Sequence, residues 1–244
     1  MISNRLLKLH EYVFNESLSE LTTKVCDFCN RFRAPCCPFD SPTSHRLMLV
    51  FTDGACLNNG KRATDEPGAG AKGGSSSLTK AGIGAAAGRA KSERRSKPVN
   101  DTLDPGMPRT NQRAELLGAL EGLDLLLALW KEESERERAR ERGQGNQSDR
   151  HGSTDNSDDG PQKWVVATDS EYVVKGITQW YPTWEKRNWR TADGKTPTNL
   201  DLFHHLNDNL TAIEALNIQV GFWRIPREYN KIADGLAKEA ALRA

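Results

Sequence analysis

Four acidic residues stand where a folded chain could gather them. Asp53 follows the apolar run Leu49-Val50-Phe51-Thr52, and Asp169 follows Val165-Val166-Ala167-Thr168. Glu115 lies in the first turn of a leucine-rich segment, and Asp234 opens the last helical segment. Strand ends and helix starts of an α/β sheet converge on one edge, where sites form. Carboxylates brought together there repel one another, and a divalent cation is what makes such a group tolerable. Taken singly, each has a plainer reading. Asp53-Gly54 could be a turn, and Thr168-x-x-Glu171 has the pattern of a capping box that would leave Asp169 incidental. Glu115 and Asp234 could merely complement helix dipoles. The case for a metal site rests on the ordered set, not on any member.

Cysteine is the other residue type with chemistry to offer. There are five, four of them clustered as Cys26-x-x-Cys29 and Cys36-Cys37. Cys26 and Cys29 have ligand-like spacing for zinc, but adjacent cysteines make a poor second pair. Zinc there is the lesser expectation and unligated thiols the greater. Cys56 stands alone and reads as a small packing residue.

The elements that must position these groups follow from pattern. Residues 1–45 read as an N-terminal extension with a short amphipathic helix (Leu6, Leu7, Leu9, Tyr12, Val13 and Phe14, continued by Leu18 and Leu21), the cysteine cluster, and breaks at Pro35, Pro38 and Pro42. From residue 46 a second region begins. Strands are expected over Leu47–Thr52, Ala81–Gly88, Lys163–Ala167 and Ile218–Arg224. Helices are expected over Thr110–Trp130 with Asn111 as N-cap, Ser170–Trp180, Leu200–Ile213 and Ile232–Leu242. Stretches near 60–80, 89–108 and 131–162 read as flexible insertions, the last beginning with a Glu/Arg-rich helical extension. This order implies an α/β layered domain, a mixed and partly parallel central sheet flanked by helices.

Composition sets the outer bounds. Apolar residues make up 36% of the chain, a modest share, so part of the length is not expected to pack. A net charge of +1 gives no argument for a nucleic-acid partner, so that argument must come from local distribution. No apolar stretch reaches the roughly 20 residues of a membrane span. Glu11, Glu16 and Glu20 interrupt any secretory or mitochondrial signal, so an intracellular protein of nucleus or cytoplasm is expected.

The motifs Thr-Asp-Gly at Asp53, Thr-Asn-Gln-Arg-Ala-Glu ending at Glu115, Thr-Asp-Ser at Asp169 and Ala-Asp-x-Leu-Ala at Asp234 occur in an order that resembles the type-1 ribonuclease H family. The resemblance covers residues 46–244, insertions excepted. It implies the ribonuclease H-like fold and hydrolysis of the RNA strand of RNA–DNA hybrids. It also implies two Mg²⁺ ions about 4 Å apart, with Mn²⁺ as substitute, held by Asp53, Glu115, Asp169 and Asp234. Asp53 would bridge both ions. By the same resemblance Asn59, Asn111 and Gln112 would meet the RNA strand in the minor groove, where the 2′-hydroxyl marks RNA. Tyr172, Trp180 and Trp184 would pack on DNA sugars, and Thr110 with Asn199 would hold a DNA phosphate. Arg109 sits one residue away from the place of a phosphate-gripping arginine. Trp184-Glu-Lys-Arg-Asn-Trp-Arg190 resembles the family's basic protrusion, offering Lys186, Arg187 and Trp189 to the duplex.

One departure stands out. The loop Trp223–Asp234 is short and lacks the histidine common in the family, and none of His10, His45, His151, His204 or His205 is at its place. Arg224 and Arg227 are the residues that could substitute. The expected protein is thus a monomeric hybrid nuclease. A weakly active or non-catalytic hybrid-binding protein, or a reverse-transcriptase-derived domain, is the alternative.

Overall fold

Alternation in the first strand decides the layering. In β1 (Leu47–Leu57), Met48 and Val50 enter one apolar cluster while Leu49 and Phe51 enter another. A strand buried on both faces needs a layer on each side. The computed structural model describes residues 5–7, 25–26, 30–32, 47–58, 79–143 and 162–244.

With β2 (Lys80–Ala86), β3 (Arg94–Pro98), β4 (Gln162–Thr168) and β5 (Ile218–Arg224), β1 forms a sheet of order β3-β2-β1-β4-β5. Pairs β1–β2 and β2–β3 are antiparallel, and β1–β4 and β4–β5 are parallel, so the sheet is mixed as expected. The helices are α1 (Asn111–Gly143), α2 (Glu171–Lys175), α3 (Tyr181–Lys186), α4 (Leu200–Glu214) and α5 (Lys231–Leu242). Leu116, Leu120 and Leu123 of α1 and Phe203, Leu206 and Leu210 of α4 fill the cluster of Met48 and Val50. On the other face, Ala233 of α5 joins Leu49 and Phe51. There α5 lies almost on the backbone of β2: a Cβ at Gly84 would stand 2.3 Å from the Ala233 carbonyl oxygen.

Several elements differ from expectation. The stretch 89–108 is not an open loop. It holds a 3-10 turn at Lys91–Glu93, the strand β3, and a segment in which Arg109 donates to the carbonyls of Asp104 and Met107. The strand escaped notice because Arg94-Arg95-Ser96-Lys97 carries no apolar alternation, as befits a charged edge. The helix that begins at Asn111 passes Trp130 without a break into the expected Glu/Arg-rich extension, 33 residues and about 50 Å in all, ending at Gly143 before the undescribed residues 144–161. The helix after Asp169 likewise runs past Trp180, through a π turn (Gly176–Trp180), into α3. Pro182 sits in the first turn of α3, where a missing N–H matters least.

The described N-terminal residues are stitched to the sheet. Leu6 bridges Phe222 in parallel, with Leu7 N–H donating to the Phe222 carbonyl at 2.9 Å. Leu6 and Leu7 are therefore extended, not helical; the rest of the expected helix lies outside the described residues. Arg5 is buried and clamps Glu214 with Nε and Nη2 at 2.8 and 2.6 Å. Further on, Phe32 N–H donates to the Ala87 carbonyl and the Phe32 ring meets Phe51 edge-on at 5.3 Å. Arg5→Ala strands Glu214 and loosens the strap on β5, so a loss of about 2 kcal/mol is expected in urea unfolding. Among the described residues no helix is long and apolar enough to cross a membrane.

Candidate active site

Asp53 and Asp169 are set side by side by strand register. The parallel ladder between β1 and β4 ends at the rung Phe51–Ala167, and each aspartate lies two residues further on. Asp53 is not at the end of its strand, as the sequence suggested. It sits inside β1, still paired with Gly84 of β2, at the point where β4 departs. Parting of two strands opens space beside a backbone that remains rigid. Asp53 itself is only 6% exposed.

Glu115 is delivered from the opposite layer. A Cβ at Gly54 would stand 2.1 Å from the Ala114 carbonyl carbon and 2.2 Å from the Glu115 nitrogen, so glycine alone lets α1 begin against β1. Thr110, not Asn111, caps this helix: its Oγ1 accepts from Arg113 N–H at 3.2 Å. The Glu115 carboxylate accepts from Ser170 Oγ at 2.5 Å, and Ser170 also caps α2 by accepting from Val173 N–H. The capping role foreseen for Thr168 and Glu171 thus falls to Ser170, the neighbour of Asp169.

Asp234 comes from the first turn of α5. A residue that sequence reasoning missed ties that turn to the sheet. Asn230, 1% exposed, donates through Nδ2 to the Thr52 carbonyl at 3.0 Å and to Asp169 Oδ1 at 2.7 Å. Its one sequence signal was an amide four residues before Asp234, at a helix start where capping polarity is the ordinary explanation. Asn230→Ala removes both bonds and lets Asp169 turn. The expected result is about 2 kcal/mol less stability and a lower kcat with little change in KM, checked by urea unfolding and steady-state kinetics.

The electrostatics show unmet negative charge. Burial, then Asp169 and Asp234, push the Asp53 carboxyl from its usual 3.8 up to about 7. Glu115 is also raised, first by burial and then by Asp169, against the hydrogen bond from Ser170. Arg227 stands among the acids, with Nη2 2.8 Å from Asp234 Oδ1 and Nη1 3.6 Å from Asp169 Oδ2. Among the described residues, no three acids, cysteines or histidines are drawn close enough to ligate one ion as they stand. The donor chemistry nevertheless fits a hard divalent cation: carboxylate oxygens from four elements, one of them raised in pKa by burial and by its neighbours. The adjoining groove, of about 580 Å³, is lined by Asp169, Arg224, Ile225, Pro226 and Arg227.

The other expected site residues flank this edge. Asn111 and Gln112 are exposed at the start of α1. Thr110 and Asn199 are linked through the buried Arg113, which also grips Asp104 and Asp201 at 2.7 Å each. Asn199 donates to the Tyr172 hydroxyl at 3.1 Å. Tyr172, Trp180 and Trp184 form a partly exposed chain of rings, 5.7 and 6.2 Å apart. Lys186 and Arg187 are exposed beyond them. Trp189 turns inward, its ring 5.1 Å from Tyr181 and 4.4 Å from His204, an anchoring contact. Arg109 is held by its own loop and by Asp101 at 2.6 Å. Asn59 and Cys29, Cys36 and Cys37 lie outside the described residues, and Cys26 is buried with a free thiol.

A family model described as RNase H matches residues 153–242. Ribonuclease HI of Vibrio parahaemolyticus is 32% identical over 193 residues, which is 79% of this chain and 88% of that protein. Ribonuclease H of Mannheimia succiniciproducens is 30% identical over 202 residues, 80% of this chain and 88% of that one. A shorter match, 41% over 90 residues, joins 34% of this chain to 56% of the Thiobacillus denitrificans ribonuclease H. The chain belongs to the ribonuclease H family. An N-terminal RNase H domain from Mycobacterium tuberculosis superposes with a TM-score of 0.42 at 18% identity, covering 80% of this chain and 98% of that one, too low to add to the sheet order itself. Divalent-metal dependence is the norm of this family.

Proposed function

We propose that this chain is an endonuclease that hydrolyses the RNA strand of RNA–DNA hybrids, with Asp53, Glu115, Asp169 and Asp234 holding two Mg²⁺ ions, for which Mn²⁺ can substitute. The observation that carries the reading is the buried Asp53 carboxyl, driven up to about 7 by burial and by Asp169 and Asp234 at the edge where β4 leaves β1. Bound there, the ions supply the charge that activates a water and stabilises the departing 3′ oxygen.

The protein's own groups do the positioning. Asn230 fixes the Asp169 carboxylate, and Ser170 fixes Glu115. Asn111 and Gln112 offer amides to the RNA minor groove. Thr110 and Asn199, joined through Arg113, would hold a DNA phosphate, while Tyr172, Trp180 and Trp184 give sugars a surface to pack on. Lys186 and Arg187 add sequence-independent attraction for the backbone, with Trp189 anchoring their loop. A single chain carries all these parts, so a monomer suffices.

The reading is tested with end-labelled RNA presented as an RNA–DNA hybrid, as an RNA duplex, and alone. Cleavage confined to the hybrid is expected; equal cleavage of the RNA duplex would overturn the assigned specificity.

A further inference from the structure

In this protein a single guanidinium joins two of the four acids, Asp169 and Asp234. Arg227 bonds Asp234 Oδ1 at 2.8 Å and stands 3.6 Å from Asp169 Oδ2. No other cation among the described residues joins the two in this way. Lys238 reaches Asp234 alone, at 2.6 Å, and Arg224 pairs outside the cluster with Glu171 at 2.9 Å.

The setting of Arg227 suits a group that stays or leaves. Pro226, with φ of −62°, precedes it, and the 3-10 turn Arg227–Tyr229 fixes its backbone. The side chain is 69% exposed and borders the groove beside Asp169, so it can swing into solvent without breaking packing. An exposed ion pair of this kind is weakly held and readily exchanged.

We propose that Arg227 is the resident counter-ion of Asp169 and Asp234, offsetting part of the cluster's charge in the metal-free protein and competing with divalent cations for those two carboxylates. The proposal rests on the metal site proposed above. A divalent ion and the guanidinium repel each other across the same two carboxylates, so ion binding and the inward position of Arg227 oppose each other. By linkage, whatever weakens the arginine contact strengthens the metal, and the reverse.

Mn²⁺ binding to the full chain at pH 8, followed by calorimetry, reads this directly, with thermal unfolding in chelator alongside. Arg227→Ala is expected to bind Mn²⁺ about 5- to 20-fold more tightly than the unmodified protein and to unfold at lower temperature in chelator. Arg227→Lys should fall between the two, since one ammonium cannot reach both carboxylates as a fork does. Arg224→Ala, which removes a nearby charge outside the cluster, should leave Mn²⁺ affinity unchanged. Equal affinity in Arg227→Ala and the unmodified chain would overturn the counter-ion role while leaving the metal site standing. So would an equal gain in Arg224→Ala, which would mark a general effect of charge. Absence of Mn²⁺ binding by the unmodified chain would overturn the metal site and this role together.

Discussion

Asp53→Asn is expected to abolish cleavage and at the same time to stabilise the metal-free protein. The activity loss, at least about 10³-fold, follows from removing the carboxylate at the centre of the proposed metal site. The gain in stability follows from its ionisation. The Asp53 carboxyl is raised from 3.8 to about 7 in the folded chain, so folding opposes its charge. Below about pH 3.8 both states are protonated and the group contributes nothing unfavourable. As pH rises from there to about 7, the unfolded chain ionises first and the folded state loses ground; above about 7 the penalty is constant. Its size approaches about 4 kcal/mol at pH 8 and about 1 kcal/mol at pH 4.5. An asparagine keeps the shape without the charge. In chelator, Asp53→Asn should therefore outlast the unmodified chain in urea at pH 8, with most of the advantage gone at pH 4.5. Mg²⁺ should stabilise the unmodified chain and not the variant. Equal stability of the two proteins at both pH values would mean that neither burial nor Asp169 and Asp234 opposes the charge on Asp53.

Gly54→Val should damage both fold and site. Any Cβ at residue 54 meets the backbone of Ala114 and Glu115 at 2.1–2.2 Å, and neither atom belongs to a side chain that could turn away. Either β1 bends or the first turn of α1 lifts. Overpacking of this kind costs about 3 kcal/mol, and a lifted first turn carries Glu115 away from Ser170. A displacement of about 1 Å at a site residue lowers turnover roughly 100-fold. Loss of stability and activity together, read by urea unfolding and by initial rates, distinguishes this change from Asp53→Asn, where the two move in opposite directions. A folded, fully active Gly54→Val would show that α1 does not owe its place to this contact.

The four acids were legible in the sequence because each stands in a motif whose order repeats a family pattern. Most helices and the strands β1, β2, β4 and β5 were legible because burial imposes a period. What escaped did so for physical reasons. Arg94–Pro98 lies at the charged edge of the sheet and carries no apolar stripe, so it passed for loop. Residues 131–143 did not escape: their Glu/Arg pairing implies the helical extension that carries α1 past its core contacts. The strand that carries Asp53 belongs to two ladders that end at different places, and only the shorter one, which stops at Phe51, could be guessed from the apolar run. Asn230 and Arg227 gain their meaning from partners 61 and 58 residues distant in the chain at Asp169, a relation no local pattern reveals. The Leu6–Phe222 bridge is longer-range still, and it holds Leu6 and Leu7 extended where a helix was expected to begin.

The central claim is that this carboxylate cluster, with divalent ions, cuts the RNA strand of a hybrid. Its most direct measurement compares the unmodified chain with Asp169→Asn on an RNA–DNA hybrid whose two strands bear different labels, in Mg²⁺, in Mn²⁺ and in chelator. The predicted result is fragmentation of the RNA alone by the unmodified chain in either metal, with none in chelator and none by Asp169→Asn. An intact RNA strand after incubation of the unmodified chain with both metals would contradict the enzymatic claim, and undiminished cleavage by Asp169→Asn would contradict the site.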